Sequence, residues 1–156
     1  MSRRLLPGFG VMLVASWLGG CSDSPLVFDQ PTDVAVAPNG DFYVADGYGH
    51  TRVARFRADG TFLTQWKGPE LGRPWGLSMG RDGFLYVIDG GDQSADHPRA
   101  RALKLDLEGN VVARWGRHGR EAGQFDWGHD IAVDSRGQVY VVDIRGRRVQ
   151  KFRPVE

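Results

Sequence analysis

The sequence repeats itself, and that periodicity restricts the chain to a small set of architectures. "PTDVAVAPNGDFYVAD" from Pro31, "PWGLSMGRDGFLYVID" from Pro74 and "GHDIAVDSRGQVYVVD" from Gly128 align without a gap. Gly40, Gly83 and Gly137 occupy one column, Tyr43, Tyr86 and Tyr140 another, and Asp46, Asp89 and Asp143 a third. Another segment recurs as "RVARFRADG" from Arg52, "RALKLDLEG" from Arg101 and "RVQKFRPVE" from Arg148. In the first two units a last segment follows, "TFLTQW" and "NVVARW", ending on Trp66 and Trp115. The segments are short, rich in β-branched and aromatic residues, and joined by Asn-Gly, Asp-Gly, Arg-Gly or Glu-Gly turns. Such turns suit tight hairpins. One four-stranded antiparallel meander per unit is the pattern of a β-propeller blade.

The expected fold is therefore all-β, with blades over about residues 31–68, 74–117 and 128–156. The third unit stops before its last strand, since its tryptophan column lies beyond Glu156. Propellers close with about 4–8 blades. Three repeats leave three readings open: a partial ring, half of a six-bladed ring closed by a homodimer, or a fragment of something longer. The stretch "SPLVF" ahead of the first unit is a candidate outer strand for closing such a ring. The middle unit carries a polar insertion, "GGDQSADHPRA", between its second and third strands. A surface excursion or a binding loop both fit it.

The first twenty residues differ from the rest. Arg3 and Arg4 precede the uncharged run "LLPGFGVMLVASWLGG", which ends on Cys21, the only cysteine of the chain. This order reads as a signal peptide over residues 1–20. "LGGC" resembles a bacterial lipobox, which implies a lipidated Cys21, a short linker over 21–27 and an anchor in the membrane. The expected location is an exported lipoprotein on the periplasmic side of the cell envelope, with the outer membrane preferred because Ser22 follows the cysteine. Without the first twenty residues, Lys and Arg fall from 20 to 18 against 19 acids, a net charge of −1. The basic residues are scattered in sequence among acids, which argues against nucleic acid as a partner.

The units resemble NHL repeats over residues 28–153. "QPTDVAVAPNGDFYVADGYGHTRVARFRADGTFLTQW" further resembles a blade of the peptidyl-α-hydroxyglycine α-amidating lyase group, also called peptidylamidoglycolate lyase. That resemblance implies a metal-dependent carbon–nitrogen lyase that releases glyoxylate from hydroxyglycine-extended peptides. It implies zinc held by three histidines, a nearby calcium, and a tyrosine working on protons. Carried over, Tyr48 in "DGYGHTR" matches the catalytic tyrosine, with Arg52 close by in sequence. His129 in "WGHDIAV" matches a zinc ligand and Asp130 a calcium ligand. The chain departs from the pattern at Trp75, where a second histidine belongs, at Gly90, where an arginine belongs, and at Trp127, where a methionine belongs.

The residues themselves leave two readings open. A tyrosine in a blade loop packs its ring, or it serves as a base beside a metal or an arginine. His129 lines a channel or binds metal, and His50, His97 and His118 do not group with it by spacing. The acid columns suggest turn caps, and Arg52, Arg101 and Arg148 suggest partners for those acids. Trp66 and Trp115 are expected between blades. The preferred function is a binding module whose propeller face meets a peptide, a glycan or an envelope protein. The alternative is the zinc lyase.

Overall fold

The computed structural model describes residues 27–91 and 98–154. Cys21, the expected signal segment, Ser24 to Leu26 of "SPLVF", and the insertion residues 92–97 with His97 lie outside them.

Eleven strands form three antiparallel sheets among the described residues. Blade one is β1 (Asp33–Val36), β2 (Phe42–Asp46), β3 (Arg52–Phe56) and β4 (Phe62–Lys67), in that spatial order. Blade two is β5 (Pro74–Met79), β6 (Leu85–Asp89), β7 (Arg101–Leu105) and β8 (Val111–Trp115). Blade three holds β9 (Gly128–Val133), β10 (Val139–Asp143) and β11 (Arg148–Phe152), and no fourth strand among the described residues. The glycine column builds the first hairpin of each blade. Gly40 sits at a φ of 87°, which the turn requires, and donates to the Ala37 carbonyl at 2.9 Å.

Strand alternation gives each blade two apolar faces. Tyr43, Ala45 and Val53 of blade one meet Leu77, Leu85, Val87, Leu103 and Leu105 of blade two in one core. Tyr86, Ile88 and Ala102 on the other face of blade two meet Ile131, Val139 and Val141 of blade three in a second core. Both cores lie between blades. Trp66 packs into the first and Trp115 into the second, as the repeat columns suggest.

The acid column and the arginine column meet in every blade. Asp46 accepts the Arg52 Nε–H at 3.0 Å, Asp89 the Arg101 Nε–H at 3.2 Å, and Asp143 the Arg148 Nε–H at 3.2 Å. Each carboxylate also accepts backbone amides from the link that enters its blade. The amide donors are Asp29 to Asp46 at 3.0 Å, Arg73 to Asp89 at 2.9 Å, and Trp127 to Asp143 at 2.8 Å. Each guanidinium then donates onward to a carbonyl of the same link, at Val27, Glu70 and Gln124. One acid and one arginine thus pin the incoming chain to the strand ends, and they leave few buried polar groups without partners. Burial works to raise the Asp143 carboxyl, but the amides of Trp127, Asp126 and Gly146 outweigh it and hold the group below 3.8. At Asp89 burial wins, and the carboxyl lies above 3.8 despite the Arg73 amide and the Arg99 and Arg101 charges.

Of the candidate closing strand "SPLVF", only Val27 and Phe28 are described, and they form a link. The Arg52 guanidinium holds the Val27 carbonyl, and the Phe28 ring lies 6.0 Å from Phe56, so both are tied to blade one.

Candidate functional site

The inner strands β5 and β9 start side by side, and four aromatic rings meet there: Trp75 and His129 from the strands, Trp127 from the link before β9, and Tyr48. Trp75 is the centre, 4% exposed. Its ring centroid lies 4.9 Å from Tyr48, 5.1 Å from Trp127 and 5.1 Å from His129, which stands edge-on to it at 88°. Tyr48 reaches the cluster from the β2–β3 loop and remains 40% exposed. Arg145 stacks over Trp127 at 4.5 Å. Sequence positions 48, 75, 127 and 129 therefore share one end of the inner strands.

The chemistry of the cluster is different. Trp75 fills the space between Tyr48 and His129 with an indole, which has no lone pair to offer a metal. Gly90 makes that possible. A Cβ built there lies 2.7 Å from the Gly128 carbonyl oxygen and 3.1 Å from the Trp75 ring. The departures at positions 75 and 90 are one packing solution, and no arginine fits at 90 beside this indole. Among the described residues no group of three His, Cys, Asp or Glu is placed to hold a metal ion. The described residues do not fit a three-histidine zinc site. Asp130, matched to a calcium ligand, accepts the Ile131 amide at 2.8 Å.

Arg52 does not face Tyr48 in the way sequence proximity suggests. Its side chain is fully buried, bonded to Asp46, to Gln65 at 2.8 Å and to Val27. His50 also turns inward, with Nδ1 2.7 Å from Asp46 Oδ2. His118 lies 3.5 Å from Asp126 on the link before blade three.

A second feature has no counterpart in the spacing of the sequence. Between the outer parts of blades two and three lies a groove of about 850 Å³. Its floor is Tyr86, Trp115, Val139 and Phe152. Arg81, Lys104, Arg114, Arg136 and Arg153 line it, against one acid, Asp82. Lys104 pairs with Asp82 at 2.8 Å, and Arg114 and Arg136 pair with Glu70 and Asp134 outside the lining. The groove opens where blades one and two carry a fourth strand and blade three does not. Its cations come from positions 81 to 153, so only the fold gathers them.

Comparison with known proteins supports the fold. The NHL repeat model matches residues 28–56. Over 40 residues, 25% of this chain and 5% of the relative, the chain is 55% identical to peptidyl-glycine alpha-amidating monooxygenase B of Xenopus laevis. Over 124 residues, 75% of this chain and 30% of the relative, it is 28% identical to peptidyl-alpha-hydroxyglycine alpha-amidating lyase 2 of Drosophila melanogaster. The chain thus spans less than a third of either relative. A streptogramin B lyase structure superposes with a TM-score of 0.58 at 14% identity, covering 79% of this chain and 40% of that one. At that identity the likeness is one of fold. The chain carries an NHL repeat, and its three sheets are β-propeller blades.

Proposed function

We propose that this chain is a lipid-anchored binding module of the bacterial cell envelope, and that its ligand is an extended acidic peptide segment of an envelope protein. The observation that carries the reading is the basic, aromatic-floored groove beside β11. Among the described residues the outer edge of β11 pairs with no strand, and an extended peptide added there continues the four-stranded pattern of blades one and two. The groove beside it offers an apolar floor for one set of side chains and arginines for the acids. The anchor at Cys21 and the periplasmic side of the outer membrane rest on the "LGGC" stretch and the charged-then-apolar start of the chain.

The test is a titration of the chain with labelled peptides that alternate valine with glutamate or with lysine. The glutamate series binds, and the double variant Arg136→Glu, Arg153→Glu weakens it at least tenfold. A glycan that binds the groove while the acidic peptide does not replaces the ligand class. Equal binding of both peptide series removes the charge argument.

The second reading is the metal-dependent lyase. It is favoured by the amidating-enzyme relatives and by the approach of Tyr48 to His129 across Trp75. It requires metal ligands beyond those the described residues bring together. Glyoxylate release from a hydroxyglycine-extended peptide is its direct assay.

A further inference from the structure

The repeat columns show what each blade face is for. One face looks to the next blade. Tyr43, Ala45 and Val53 fill it in blade one, and Tyr86, Ile88 and Ala102 hold the same columns in blade two. The other face looks to the previous blade. Leu77, Leu85 and Val87 fill it in blade two, and Ile131, Val139 and Val141 in blade three. All twelve are buried in the two inter-blade cores.

The same columns continue onto the two outermost faces. The backward face of blade one carries Val34, Phe42 and Val44, and the forward face of blade three carries Tyr140, Val142 and Val149. Both sets are as apolar as their buried counterparts, yet no blade among the described residues covers them. Val34 is 55% exposed where Leu77 is 5%, and Val149 is 62% exposed where Val53 is fully buried.

Two smaller devices agree. Leu71 and Phe125 each stand three residues ahead of a repeat start and plug a junction core. Phe28 holds that column in blade one, and it lies on the backward face against Phe56, as Phe125 lies 5.7 Å from Phe152. The Asp33 carboxylate crosses the first junction to accept the Leu77 amide of blade two at 2.6 Å. Asp130 holds the column of Asp33 in blade three, and among the described residues no blade follows that strand. That gives the acid matched to a calcium ligand a role at a junction.

We infer that these two faces are blade junctions completed by a second copy of this chain: blade three of each copy packs on blade one of the other. Closed propellers hold about 4–8 blades. The three described blades of one copy and the three of a second make six, within that range. A two-fold axis along the channel then makes both new junctions equivalent, and no apolar blade face remains open. The dimer also completes the channel wall, of which each copy supplies β1, β5 and β9. The two aromatic clusters around Trp75 come to line one mouth.

The test is the solution mass of the full chain, carrying Cys21→Ser so that no lipid is attached, by light scattering after size exclusion. The expected mass is about twice the 17.3 kDa of one chain. Val34→Lys and Val149→Lys each reduce it to one copy, with the β-sheet circular dichroism retained. Val112→Lys, on the outer strand β8 and outside both faces, leaves the dimer intact. A monomeric parent, an aggregate, a mass other than two copies, or a dimer that survives both face substitutions overturns the inference. Peptide binding to the groove is measured separately on each species, because the groove lies within one copy and does not depend on the second.

Discussion

Arg52 carries the sharpest energetic prediction. Its side chain is fully buried, and so is that of its partner Asp46. Replacing Arg52 with Met keeps the stem packed but takes the guanidinium from the buried Asp46 carboxylate, which keeps the Asp29 amide and His50. Breaking a buried pair from one side costs about 3–5 kcal/mol. For a domain of this size that lowers the thermal midpoint by roughly 10–20 °C. The cost falls across the three equivalent clamps in the order of solvent access. The arginine side chains are 0% exposed at Arg52, 15% at Arg101 and 27% at Arg148. Water screens the open pairs and solvates the stranded acid. Arg148→Met is therefore expected to cost about 1 kcal/mol from the pair itself, with more from the Gln124 carbonyl it releases. Urea unfolding followed by tryptophan fluorescence at fixed protein concentration measures all three. Arg52→Met with Asp46→Asn is expected to cost less than the sum of the singles by about 2 kcal/mol, because the neutral pair strands no charge. An Arg52→Met cost below about 1 kcal/mol, or strict additivity with Asp46→Asn, refutes the clamp as a coupled buried unit.

Trp75→Ala empties the middle of the aromatic cluster and is expected to cost about 3–5 kcal/mol in the same unfolding assay. Gly90→Ala places a methyl against the Gly128 carbonyl and the indole and is expected to cost about 1–3 kcal/mol, with the Trp75 environment perturbed in near-ultraviolet circular dichroism. Acid titration separates the two equivalent carboxylates. Asp143 lies below 3.8 when folded, so its contribution is present above that value and is lost as pH falls through the lowered one. Asp89 lies above 3.8, so its contribution is largest when protonated and is lost as pH rises through the raised value. Asp143→Asn is therefore expected to flatten the loss of stability below about pH 4, and Asp89→Asn is not, as read by the unfolding midpoint at each pH.

The sheets were legible because three independent signals coincide in each unit: alternation, a glycine turn and a tyrosine column. The pairing of Arg52, Arg101 and Arg148 with the acid column was legible for the same reason, since a contact that repeats needs only columns to be seen. Single contacts were less so. Arg52 is four residues from Tyr48 in sequence, but it opens strand β3, where its side chain turns to Asp46 in the blade interior. Val27 and Phe28, the described end of the candidate closing strand, form a link here, where Arg52 takes the Val27 carbonyl and Phe56 takes the Phe28 ring. The groove was not legible at all. Its arginines belong to different strands and turns of two blades, and the space lies beside a strand position that no described residue fills. The departure at Trp75 was visible in the sequence, but its coupling to Gly90 appears only when the indole is seen against the glycine backbone.

The central claim is that the groove beside β11 binds an acidic segment as an added strand. Amide hydrogen exchange with and without the glutamate–valine peptide tests it most directly. The account predicts slower exchange confined to Arg148–Phe152, as new strand hydrogen bonds form, while blade one is unchanged. Peptide binding that leaves the β11 amides as they were, or that protects another strand instead, contradicts it.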